Sequence, residues 1–178
     1  MIEEIIDKYY GKEGRLRTIL TVHSRLVADK ALRCARLRCP EADMRFVEEA
    51  AMLHDIGIFL CDAPGICCHG TEPYIRHGVL GRELLDAEGL PRHALVCERH
   101  TGAGLTVEDI VRQNLPLPHR DMTPQTLEEK LICYADKFYS KSGDITREKP
   151  LEEVLKSMQR HGPDTVARFM RMHEMFRG

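Results

Sequence analysis

The sequence predicts an all-α fold, a single bundle of about seven to nine helices, on three observations. Apolar residues recur at three- and four-residue steps along most of the chain. Alternating β-branched runs bounded by turn residues are nearly absent. The 178 residues, 43% hydrophobic and 30% charged, suit one globular core. The Pro- and Gly-rich stretches 61–72 and 114–122 are short and mark no composition shift, so they read as loops rather than interdomain linkers. One domain over 1–178 is expected, with its core at roughly 15–141 and C-terminal helices over 150–177 packed on it.

Taken in order, residues 15–37 place Leu16, Ile19, Leu20, His23, Leu26, Val27 and Cys34 on one side of a helix. Residues 41–54 repeat the pattern with Phe46, Val47, Ala50, Ala51 and Leu53, and Gly57 follows as the stop. A helix over 73–87 begins with Pro73 in its first turn and runs through Tyr74, His77, Leu80, Leu84 and Leu85. Further helices are expected at 91–99, 106–114, 124–140 (with Thr123 as N-cap before Pro124), 150–160 and 163–176. In the last of these, Val166, Phe169, Met170, Met172 and Phe176 share helical spacing. They read as the core face of a terminal helix, with a homodimer face as the alternative.

Net charge is −2, from 26 basic and 28 acidic residues. That balance gives no general attraction to a nucleic acid polymer or to a membrane surface. The opening Met1-Ile2-Glu3-Glu4 lacks a basic region leading into an apolar one, and no apolar run reaches the ~18 residues of a membrane span. A cytoplasmic location is therefore expected. Seven cysteines are an odd number, and no C-x-x-C occurs. They read as reduced, mostly buried thiols; the group Cys61, Cys67, Cys68 and His69 matches no common zinc module.

Histidine is the residue in surplus: nine occur where about four are usual. His69, His119, His161 and His173 lie in loops or among charges. His23, His54, His77, His93 and His100 lie on apolar faces or at the ends of expected helices. A single such histidine usually belongs to the core, satisfied by one hydrogen bond. Here they co-occur with Asp55 and with Asp136, a carboxylate at an inward position of the helix 124–140. An inward carboxylate needs a cation or a hydrogen-bond partner. Imidazoles and carboxylates converging from separate helices are the ingredients of a zinc, iron, manganese or nickel centre.

The order His23, His54-Asp55, Asp136 resembles the HD superfamily of metal-dependent phosphohydrolases, and His54-Asp55-Ile56-Gly57 matches its HDIG variant. The intervening His77 and His100 are similar to the subset that carries two metal ions. Arg99-His100-Thr101-Gly102, Asp121-Met122-Thr123 and Glu129 to Asp136 resemble bacterial symmetrical diadenosine tetraphosphate hydrolases.

The resemblance implies that His23, His54, Asp55 and Asp136 hold one metal and Asp55, His77 and His100 a second, with Asp55 shared. It implies two divalent ions, iron first among iron, manganese, nickel, cobalt and zinc, and a hydroxide between them that attacks phosphorus. Asp55, His54 and Lys137 are then the catalytic candidates. Lys137, Thr101, Arg99, Arg120 and Lys141 are candidates for holding a small phosphorylated, nucleotide-like substrate. Each of these four cations is also readable as solvated surface charge, and Thr101 as a turn cap. Two alternatives stand beside hydrolysis: a di-iron oxygenase of the same fold, and a non-catalytic helical binding module. His93 is left open as an extra site residue.

Overall fold

In the computed structural model, which describes residues 1–178, nine α-helices follow one another with little else between them. They are α1 (Ile2–Tyr10), α2 (Arg15–Arg38), α3 (Met44–Leu53), α4 (His77–Ala87), α5 (Pro91–Arg99), α6 (Val107–Arg112), α7 (Leu127–Asp136), α8 (Leu151–Gln159) and α9 (Pro163–Phe176). The loop after α3 carries two-residue antiparallel strands, β1 (Asp62–Ala63) and β2 (Cys68–His69), paired Asp62 to His69 and Ala63 to Cys68. No helix is long and apolar enough to cross a membrane. All seven cysteines are free thiols, and six of them are buried.

Several boundaries differ from the sequence expectation, each for a local reason. Helix α1 was not anticipated; it forms because Ile5 and Ile6 bury against the body of the protein, although its N-cap Met1 makes no side-chain cap. The helix expected from residue 73 begins as a 3₁₀ turn, Tyr74–Arg76, and becomes α-helical at His77. Helix α7 starts at Leu127, not at Pro124. Its cap is Thr126, whose hydroxyl accepts the Glu129 N–H, whereas Thr123 is held in a turn by Asp121 Oδ1. It also ends at Asp136 rather than residue 140, since Lys137, Phe138 and Tyr139 each donate a backbone hydrogen bond three residues back. Gly57 was expected as a conformational stop, yet its φ is −83°. A Cβ there would strike the backbone of His77 and Gly81, so the absent side chain lets α4 approach.

Two apolar clusters hold the molecule together. The larger, of 26 buried residues, joins α2, α3, α7, α8 and α9 around Val27, Ala31, Val47, Leu131, Phe169 and Phe176. The smaller joins α1, α3, α4 and α5 around Ile6, Leu20, Leu53, Ile56, Leu85 and Cys97. Full burial of each large side chain contributes about 1.5–3 kcal/mol. On α2, Leu20 belongs to the smaller cluster and Val27 to the larger, and His23 lies between them. This seam between the clusters is where the inward polar residues gather.

Candidate metal centre

Six side chains meet at the seam, each at least nine-tenths buried. His23 comes from the middle of α2, His54 and Asp55 from the turn closing α3, His77 from the first residue of α4, His100 from the C-cap of α5 and Asp136 from the last residue of α7. His54 and Asp55 are sequence neighbours yet both point inward. The chain there tightens to three-residue bonds, Ile56 N–H to Leu53 O and Ile58 N–H to Asp55 O.

Three imidazoles are oriented by one local device. His54 Nδ1 donates to Ala51 O at 2.6 Å, His77 Nδ1 to Tyr74 O at 2.7 Å and His100 Nδ1 to Cys97 O at 2.7 Å. Each acceptor is the carbonyl three residues earlier. A carbonyl can only accept, so Nδ1 carries a proton and Nε2 faces the centre, with its lone pair available whenever the ring is neutral. Such bonds are the usual way a protein fixes the tautomer of a ligating histidine.

Asp55 divides the site in two. Its Oδ2 lies 3.1 Å from His54 Nε2 and 3.3 Å from His23 Nε2. Its Oδ1 lies 3.4 Å from His100 Nε2 and 3.5 Å from His77 Nε2. Asp136 Oδ1 completes the first half, 2.9 Å from His23 Nε2 and 3.4 Å from His54 Nε2. Two groups able to hold a metal result: His23, His54, Asp55 and Asp136, and Asp55, His77 and His100.

The donor set fits divalent cations better than it fits itself. His54 Nε2 and both Asp55 oxygens are buried without an aligned hydrogen bond, Oδ2 having only the Lys141 ammonium beside it as an ion pair, and buried polar atoms left so are costly. In the second half three acceptors converge with no proton among them. Burial first, and then the neighbouring His100, push His77 down to about 3, and burial likewise lowers His100. Two neutral imidazoles therefore present lone pairs to one another. On the other side, burial opposes charge on His54, but the Asp55 and Asp136 carboxylates outweigh it and lift the imidazole to about 9, so in the protein alone His54 Nε2 carries a second proton between these carboxylates, which a bound cation would displace. Burial opposes ionisation of Asp55 as well, and Lys141 and His54 overcome it, holding the carboxylate well below its ordinary range.

The remaining residues expected at the site separate into two kinds. Lys137 Nζ lies 2.5 Å from Asp136 Oδ2 and donates to His100 O at 2.9 Å. Lys141 Nζ lies 2.7 Å from Asp55 Oδ2, close in charge but not aligned for a hydrogen bond. The half-buried Thr101 hydroxyl is bonded to no protein atom, so it caps no turn. Arg99 and Arg120, expected as free cations, are instead committed to buried carboxylates. Arg99 holds both oxygens of Glu129 at 3.0 Å, and Arg120 holds Glu98 Oε1, whose other oxygen Arg82 takes. His93 stands apart from the centre, edge-on to Phe46 and 3.6 Å from Glu49.

Helical spacing marks Tyr74 only as part of an apolar face, yet its ring stacks on His77 with centroids 4.7 Å apart. It lines a cavity of about 410 Å³ together with Tyr139 and Lys141. None of the six converging side chains lines that cavity, but two of its lining residues reach them, Lys141 at Asp55 and Tyr74 at His77.

Comparison with known proteins agrees with this geometry. A family model described as HD domain matches residues 21–140, which contain all six converging side chains. A tRNA (cytidine(56)-2'-O)-methyltransferase of Picrophilus torridus is 33% identical over 153 residues, covering 85% of this chain and 40% of that protein. The protein of the same name from Thermoplasma volcanium is 30% identical over 147 residues, 82% of this chain and 38% of its own length. An uncharacterized protein of Methanocaldococcus jannaschii is 36% identical over 121 residues, 67% of this chain and 62% of its own. The chain thus spans less than two thirds of each of these relatives. None of the three bears the name of a diadenosine tetraphosphate hydrolase. No solved structure matches the chain significantly.

Proposed function

The chain belongs to the HD domain family, and on that footing we propose that its buried histidine–aspartate centre is the active site of a metal-dependent phosphohydrolase cleaving a phosphate ester or anhydride in a nucleotide-like small molecule. The observation that carries this reading is Asp55, which turns one oxygen to His23 and His54 and the other to His77 and His100. A carboxylate placed so serves two cations at once, whereas each imidazole serves one.

His23, His54, Asp55 and Asp136 would hold one ion, and Asp55, His77 and His100 the second. When bound, two divalent ions supply Lewis acidity toward a phosphoryl oxygen and lower the pKa of water. The chain supplies the rest. The Nδ1–H bonds to Ala51, Tyr74 and Cys97 fix three imidazoles before any ligand arrives, so little reorganisation accompanies binding. Lys137 and Lys141 offer positive charge to phosphate oxygens, and the Thr101 hydroxyl is free to donate one hydrogen bond. Tyr74 and Tyr139 give the cavity aromatic walls of the kind a nucleobase stacks on.

The test is phosphate release from a panel of nucleotides and phosphate esters by metal-reconstituted protein, run with and without oxygen. Turnover that persists under anaerobic conditions and is abolished by His54→Ala and Asp55→Ala is expected. Turnover that requires dioxygen would move the centre to oxygenase chemistry. The names of two relatives favour a second reading, in which the cleaved phosphate is carried on RNA. A 3′-phosphorylated oligoribonucleotide belongs in the same panel for that reason.

A further inference from the structure

A second cavity, of about 510 Å³, has no hydrophobic residue in its lining. One wall is the outward face of α8, where Glu153, Lys156, Ser157 and Arg160 recur at three- and four-residue steps while Val154 and Met158 bury on the other side. The other wall is the loop after α7, with Ser140, Ser142, Arg147 and Lys149.

The charges in this cavity are unevenly matched. Arg147 is neutralised by both oxygens of Glu153 at 2.9 Å, and Asp144 is tied to the N–H and hydroxyl of Thr146. Lys149, Lys156 and Arg160 have no carboxylate within ion-pair distance. Three cations gathered without partners repel one another, and an anion seated among them removes that cost. Ser140, Ser142 and Ser157 add hydroxyl donors around the same space.

This cavity is also coupled to the centre. Ser140 and Ser142 line both it and the cavity walled by Tyr74 and Tyr139, and Lys141 between them reaches Asp55. Lys149 is half-buried, and its ammonium, which burial holds below the ordinary value, lies in the field of Asp136, Lys137, Glu153 and Lys141. The two spaces are thus separated by one turn of chain.

We propose that this basic cavity is a second phosphate site, so that the substrate is a small molecule carrying two separated phosphate groups, one cleaved at the centre and one held by Lys149, Lys156 and Arg160. This rests on the phosphohydrolase reading above. The net charge of −2 and the gathering of three unpaired cations in one pocket suit a compact bisphosphate better than a long polyanion, which would need a continuous basic track.

The experiment is equilibrium binding of adenosine 3′,5′-bisphosphate and adenosine 5′-monophosphate to the full chain, wild type against Lys149→Gln/Arg160→Gln. Circular dichroism verifies that the variant folds, and phosphate release is measured separately. The bisphosphate should bind roughly tenfold more tightly than the monophosphate, and the double variant should lose most of that preference. Equal affinity of wild type for the two nucleotides, or an unchanged preference in the variant, overturns the second site even if phosphate is released. A preference that the variant abolishes, in a protein that releases phosphate from nothing with any metal, upholds the anion site and overturns the hydrolase instead.

Discussion

His77 Nε2 and His100 Nε2 face each other at 3.1 Å, with each ring's proton already given to a carbonyl on its far side. Neither nitrogen can donate to the other in that arrangement. The contact is unfavourable in the protein alone and becomes favourable with a cation between the lone pairs.

Divalent metal should therefore stabilise the fold. Ligand at a hundred times its dissociation constant contributes about 2.7 kcal/mol. A thermal melt should shift upward by several degrees on adding manganese or ferrous ion. A chelator should reverse the shift. His77→Ala should weaken the response while relieving the lone-pair contact in the metal-free protein.

Gly57→Ala should destabilise the protein. The added methyl would strike the His77 carbonyl oxygen and the Gly81 nitrogen, both of them backbone atoms that cannot swing aside. Overpacking of this kind costs about 1–3 kcal/mol. Because α4 carries His77, metal affinity should fall along with the urea midpoint.

Arg99→Gln should act on stability and not on substrate. It leaves the buried Glu129 carboxylate with fewer partners, a change costing on the order of 1–3 kcal/mol. KM should stay within about twofold of wild type. Lys141→Gln should instead raise KM, and it should lower the urea midpoint as well, because the Lys141 ammonium is the chief charge that keeps the buried Asp55 carboxylate ionised.

Asp109 sets a stability change with acid. Burial opposes its ionisation, but the Thr106 N–H and the Arg168 guanidinium outweigh that and hold the carboxyl below its ordinary value. A depressed folded value contributes stability that is complete above the unfolded pKa of about 4 and lost as pH falls through the folded one. Asp109→Asn should thus lower the urea-derived stability by about 1 kcal/mol at neutral pH. The gap from wild type should narrow below about pH 4.

The centre was largely legible in the sequence because its residues are set by helical spacing. His23 shares a face with Ile19 and Leu26, and Asp136 sits in the last turn of an amphipathic helix. What escaped depends on distance along the chain. The partners of Arg99 and Arg120 lie 30 and 22 residues away, and nothing local marks Glu129 or Glu98 as buried. The start of α7 was misplaced although Thr126 with Glu129 three residues on is the stronger capping pattern. Helix α1 lacks any side-chain cap, so its apolar spacing was its whole signal. The role of Gly57 was assigned to backbone freedom, while the approach of α4 that demands it appears first in three dimensions.

The central claim is that one carboxylate, Asp55, serves two metal ions. It is tested most directly by counting metal per chain, by elemental analysis, in wild type, His77→Ala and Asp55→Ala proteins reconstituted alike. Wild type should take up about two divalent ions, His77→Ala about one and Asp55→Ala close to none. Full occupancy in Asp55→Ala, or a wild-type protein that never takes up more than one ion, would contradict it.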